Sequence, residues 1–151
     1  MADFKEALEQ GFVAARKADL ARKEIDEVFD ELKAQILQAT ENKVLIERRL
    51  VHGDSQTVDP LSVLGLSRRP PLIRHWAIVA LNPSVDEGTI FELAQWARDK
   101  TGYPCTVTWN KQDHICEDKG ALINCLSDLL KDPVVGGKLH TLKQLEPTKK
   151  G

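Results

Sequence analysis

His75-Trp76-Ala77-Ile78-Val79-Ala80-Leu81 is the stretch on which the fold turns. It is almost continuously apolar and stops at Asn82-Pro83, the pattern of a central strand buried on both faces. Upstream, Lys43-Val44-Leu45-Ile46-Glu47-Arg48-Arg49-Leu50-Val51 reads as a second strand, with Val44 and Ile46 as its apolar content. The connection between them, 52–72, is the longest in the chain. It holds His52-Gly53-Asp54-Ser55-Gln56, Val58-Asp59-Pro60 and the extended Ser67-Arg68-Arg69-Pro70-Pro71. Connections beyond about 12–15 residues are uncommon and are often functional.

Downstream, Ser84-Val85-Asp86-Glu87 matches a capping box and predicts a helix to about Lys100. Ile90, Phe91, Leu93, Ala94 and Ala97 form its inner side, and Thr101-Gly102-Tyr103-Pro104 stops it. Cys105 to Trp109 and Asp113 to Cys116 flank a turn and predict a hairpin. Asp118 caps a helix through Lys131, with Leu122, Leu126, Leu129 and Leu130 in a stripe beside Cys125. Asp132-Pro133 ends that helix, and Gly136-Gly137 predicts a sharp bend.

Before all this, from Asp3 to about Thr40, apolar residues recur at helical spacing without a proline. Phe4, Gly11, Ala18, Ile25, Leu32 and Ala39 alternate with Leu8, Ala15, Arg22, Phe29 and Ile36 in a 3-4 pattern over about five heptads. The seam is mostly Ala and Gly up to Ala18 and carries large side chains from Ile25 to Ile36. Burying each large residue is worth roughly 1.5–3 kcal/mol, so the second half is expected to dock and the first to project. Leu8, Phe12, Ala15, Ile25 and Phe29 are the residues expected to join two copies through this helix, although Arg22 on the seam counts against a long parallel dimer.

The expected architecture is α+β: a long amphipathic helix over 1–42, a body over 43–145 and a frayed tail over 146–151. The body is expected to be a mainly antiparallel four-stranded sheet packed with two further helices.

The formal charge of −2 conceals a division. Residues 1–42 carry 6 basic and 10 acidic side chains, 43–74 carry 6 and 3, and 75–151 carry 9 and 10. Near balance removes the argument for a generally basic nucleic-acid binder, so any such activity must be local. Arg48 and Arg49 end the first strand, while Arg68, Arg69 and Arg74 precede the second. If the strands are antiparallel neighbours, these arginines gather at one end of the sheet. They could grip carboxylates or phosphates, or pair with the acidic helix. Nucleic-acid recognition usually adds exposed aromatics, and Trp76 and Trp109 read as core residues instead.

No stretch approaches the roughly 18 apolar residues of a membrane span. The acidic start lacks the pattern of a secretory signal, and three cysteines without such a signal point to free thiols in the cytoplasm.

Cys105, His114, Cys116 and Cys125 are the densest chemically capable cluster. A structural zinc site normally shows two ligand pairs spaced by two to four residues, and His114-x-Cys116 is too close for that. A two-residue turn, Asn110-Lys111, sets Cys105 opposite Cys116 and Val107 opposite His114. A three-residue turn ending at Gln112 sets Cys105 opposite Glu117 and Val107 opposite Ile115, which matches apolar with apolar and is the expected register. On it the cluster divides between two faces, leaving packing as the expected role and no metal or cofactor. No nucleophile elbow, zinc helix or phosphate loop occurs, and Gly136-Gly137-Lys138 lacks the following hydroxyl.

The expectation is therefore a non-enzymatic protein that binds another macromolecule as an adaptor, inhibitor or assembly factor. Such proteins are frequent among accessory genes, mobile elements included. Its partner is expected to be a protein, with a homodimer through the N-terminal helix. A nucleic-acid-associated protein using 48–74 and a small enzyme or metal protein using 105–125 are the alternatives.

Overall fold

A computed structural model describes residues 3–52, 74–85 and 90–145. The chain opens with α1 (Phe4–Ala39), whose N-cap Asp3 accepts a hydrogen bond from the Glu6 amide at 3.1 Å. The helix ends where Thr40 Oγ1 donates to the Ile36 carbonyl at 2.7 Å and accepts from the Val44 amide at 3.1 Å. Glu41 and Asn42 follow with φ of 56° and 65°, reversing the chain into the sheet.

The sheet consists of β1 (Leu45–His52), β2 (Arg74–Leu81), β3 (Phe91–Asp99), β4 (Gly102–Trp109) and β5 (Gln112–Cys116). It is an antiparallel meander in chain order, β1-β2-β3-β4-β5. α2 (Lys119–Lys131) and α3 (Pro133–Gln144) complete the chain as described. The α+β class holds, with five strands in place of the expected four.

β2 is an interior strand, next to the edge strand β1, with Ala77, Ile78, Val79 and Ala80 fully buried. Asn82, which ends it, is a buried polar residue with both functions used. Its Nδ2 donates to the Leu142 carbonyl at 2.8 Å, and its Oδ1 accepts from the Ser84 amide at 2.9 Å. The first bond ties α3 to the end of β2.

β3 replaces the helix expected from Ser84 to Lys100. Its register slips between Ile78 and Val79, so that Ala94 faces Ile78 while Phe91 faces Ala80. This β-bulge sets Phe91 and Ala94 on one sheet face although they lie three residues apart, a spacing that mimics a helix in the sequence.

The hairpin also departs from expectation. Asn110 and Lys111 have φ of 53° and 60°, the positive pair of a two-residue type I′ turn, whose twist matches that of the strands. Cys105 therefore faces Cys116, and Val107 faces His114. The Trp109 and His114 rings stack at 3.8 Å, while Ile115 is left 65% exposed on the other face. Turn geometry and this stack prevail over the match of Val107 with Ile115.

α2 buries Leu122, Cys125, Leu126 and Leu129. Its C-cap, Asp132, is also the N-cap of α3, accepting from the amides of Val134 and Val135 with Pro133 in the first turn. α3 runs straight through Gly136-Gly137, where a bend is expected. The cap and the burial of Val135 and Leu142, two turns apart, offset the helix penalty of two glycines, which is about 2 kcal/mol. One core joins α1, α2 and α3 to the sheet.

Among the described residues no helix is long and apolar enough to cross a membrane. Residues 53–73, the Asp86-Glu87 half of the capping box and the tail from Glu146 lie outside the described residues.

Candidate functional site: the projecting half of the first helix

α1 has 36 residues and a length of about 54 Å. Only its second half belongs to the core. Ile25, Val28 and Phe29 are buried, with Leu32 and Ile36 packed against the same cluster. Phe29 meets Trp96 edge to face at 5.0 Å, and the Arg48 guanidinium lies 4.2 Å from the Phe29 ring centre while pairing with Asp26 at 2.8 Å. The aromatic ring thus carries a cation held in place by a carboxylate one turn away on the same helix.

The helix leaves the body at the β3–β4 turn. Arg22 donates to the Lys100 carbonyl at 2.6 Å and pairs with Asp19. The Tyr103 hydroxyl donates to Glu24 at 2.8 Å; burial, followed by this bond to a carboxylate, pushes the Tyr103 pKa up. Gly102, at φ 97°, lets the backbone of the turn lie against Ala21.

Ahead of this anchor every residue from Asp3 to Lys17 is exposed, and Ala18 is the first that is buried. Phe4 is 80% exposed, Leu8 56% and Phe12 58%. Together with Gly11 and Ala15 they lie along one side of the helix. Of the residues expected to join two copies, Leu8, Phe12 and Ala15 stand on this open stripe. Ile25 and Phe29 do not, since both are consumed by the core of their own chain.

The expected arginine patch is not brought together among the described residues. Neighbouring positions on a strand face opposite ways. Arg48 turns toward α1, whereas Arg49 pairs across the other face with Glu47 at 2.5 Å. Arg74 opens β2 opposite His52 and is exposed. Arg68 and Arg69 lie outside the described residues, as do Gly53, Asp54 and Asp59.

Trp76 was expected in the core and is 52% exposed, beside Leu50 on β1. It lies near the start of β2, just after the polar Arg74-His75.

Cys105, Cys116 and Cys125 come together in the core, two across the hairpin and one from α2. Burial, with Cys116 as neighbour, pushes the Cys105 and Cys125 thiols up to about 12. Cys116 is raised by the same cause. Such thiols are neutral near pH 7 and are poor nucleophiles. His114 has a buried, unpartnered Nε2, yet no group of three His, Cys, Asp or Glu among the described residues has the arrangement to hold a metal ion.

A groove of about 210 Å³ lies between β3, the hairpin turn and α3, lined by Gln95, Thr108, Trp109, Asp132 and Lys138 among others. Several of its polar groups are engaged within the chain. Asp132 caps α3 and accepts from Asn110 at 2.7 Å, and Lys138 donates to the Glu92 carbonyl at 3.0 Å. The amide bonds from α3 hold the Asp132 carboxyl below its ordinary range. The groove is also smaller than the roughly 300–1,000 Å³ of typical ligand pockets.

In comparisons with known protein families, curated proteins and solved structures, the chain matches none.

Proposed function

We propose that this protein acts by binding another protein through the apolar stripe on the projecting half of α1, as an adaptor, inhibitor or assembly factor. The observation that carries the reading is the exposure of Phe4, Leu8 and Phe12 on a helix segment clear of its own body. Large apolar side chains grouped on one helix face gain roughly 1.5–3 kcal/mol each on burial, and an amphipathic helix laid against an apolar surface is a recurrent mode of protein recognition. The arginine segment supports a nucleic-acid reading less well, because Arg48 and Arg49 are both engaged with carboxylates of their own chain.

Affinity capture from cells that express the protein tests this. Leu8→Glu/Phe12→Glu is expected to lose the bound protein by a hundredfold or more, while Arg49→Ala/Arg74→Ala retains it. Retention by the helix variant contradicts the reading. So does capture of nucleic acid that falls steeply with salt and is lost with the arginines.

A further inference from the structure

We infer that the occupant of this stripe is a second copy of the chain, lying antiparallel across it about a two-fold axis near Gly11; the inference rests on the protein-binding reading above. Of three features of the exposed segment, charge and side-chain size favour that arrangement over the parallel one, and length fits it.

The first is charge. From Asp3 to Glu9 the helix carries Asp3, Glu6 and Glu9 against Lys5, a net −2, whereas the next turns carry Arg16 and Lys17, a net +2. Antiparallel pairing sets the acidic turns of each copy on the basic turns of the other. Parallel pairing sets like on like and also aligns the two helix dipoles.

Volume is the second. The stripe carries Phe4, Leu8 and Phe12 and then only Ala15 before Ala18 is buried by the body. Reversing one copy sets the Phe4 end of each helix beside the small end of the other and leaves Gly11 opposite itself at the axis. Stacking the copies in parallel opposes Phe4 with Phe4 and Ala15 with Ala15, so that large meets large and small meets small. Gly11 itself has nothing within 4 Å of the position a Cβ would take, so the backbones can approach closely there.

The third is length. Gly11 lies midway between Phe4, where the exposed stripe begins, and Ala18, where burial in the body begins. An antiparallel partner centred on it covers the whole open stretch and ends where the other body starts. A two-fold contact of this kind is closed and does not propagate into fibres.

Sedimentation equilibrium of the full chain and three variants, all altered at exposed positions, tests the inference. The wild type is expected to dimerise, and Leu8→Glu/Phe12→Glu to sediment as a monomer. Arg16→Glu/Lys17→Glu is expected to weaken the dimer about tenfold or more, and adding Glu6→Lys/Glu9→Lys to that variant to restore it. A wild type that stays monomeric overturns the inference and leaves the stripe to a different protein. A dimer unaffected or strengthened by the charge reversal overturns the antiparallel arrangement. A dimer indifferent to Leu8→Glu/Phe12→Glu overturns this inference, while the reading beneath it is decided by the capture experiment above.

Discussion

Gly102→Ala is expected to lower the stability of the fold by about 2–6 kcal/mol, out of the roughly 5–15 kcal/mol that a domain of this kind possesses. Two costs add. At φ 97° an alanine is strained by about 1–3 kcal/mol. Its Cβ would also lie 2.7 Å from Ala21 Cβ and 3.2 Å from the Arg22 backbone nitrogen. Neither neighbour is the flexible end of a long side chain, so α1 itself must shift, at a further cost of about 1–3 kcal/mol. That shift also pulls on the bonds from Arg22 to Lys100 and from Tyr103 to Glu24. Urea unfolding should show a clear fall in the midpoint. An unchanged midpoint would mean that the helix does not lie against the β3–β4 turn.

Phe29→Ala is expected to cost about 3–5 kcal/mol, as for other large aromatic deletions in cores. Phe29 is 6% exposed and joins three parts of the structure: α1, Trp96 on β3 and Arg48 on β1. Removing the ring opens a cavity and takes the platform from beneath the guanidinium. The Arg48 pair with Asp26 is left to stand on its own, and ion pairs with an exposed partner are worth only about 0–1 kcal/mol. Phe29→Leu, which keeps most of the volume, should recover much of the loss. Thermal and urea unfolding of the two variants measures this, and equal, small losses would place Phe29 outside the core.

The second helix half was legible because its large residues fall at seam positions that the Ala and Gly of the first half do not match. β2 was legible for a simpler reason: a continuous apolar run needs no partner to be recognised. β3 was not, because a bulge moves the two halves of an alternating pattern out of phase. The residues after Ser84 then carried the marks of both a cap and a helical face. In the hairpin the sequence offered two turns one residue apart, and apolar matching favoured the longer. Backbone conformation at Asn110 and Lys111 decided for the shorter, at the expense of exposing Ile115.

Of the candidate site, the projecting stripe could be read from the change in side-chain size along the seam. The fate of the arginines could not. Adjacent residues on one strand part to opposite faces, and Asp26 lies 22 positions before Arg48 in the chain. The 52% exposure of Trp76 is likewise not encoded in the apolar run that contains it.

Hydrogen exchange along α1, followed as the protein is diluted, tests most directly the claim that one helix serves both as core and as docking surface. Amides from Ile25 to Ile36 are expected to hold their protection at every concentration, since they are packed in their own chain. Those from Phe4 to Lys17 are expected to be protected only where a partner copy is bound, and to exchange freely on dilution. Protection of both halves to the same degree in the dilute protein would contradict the account, because the first half would then be packed on the body that it is held here to leave.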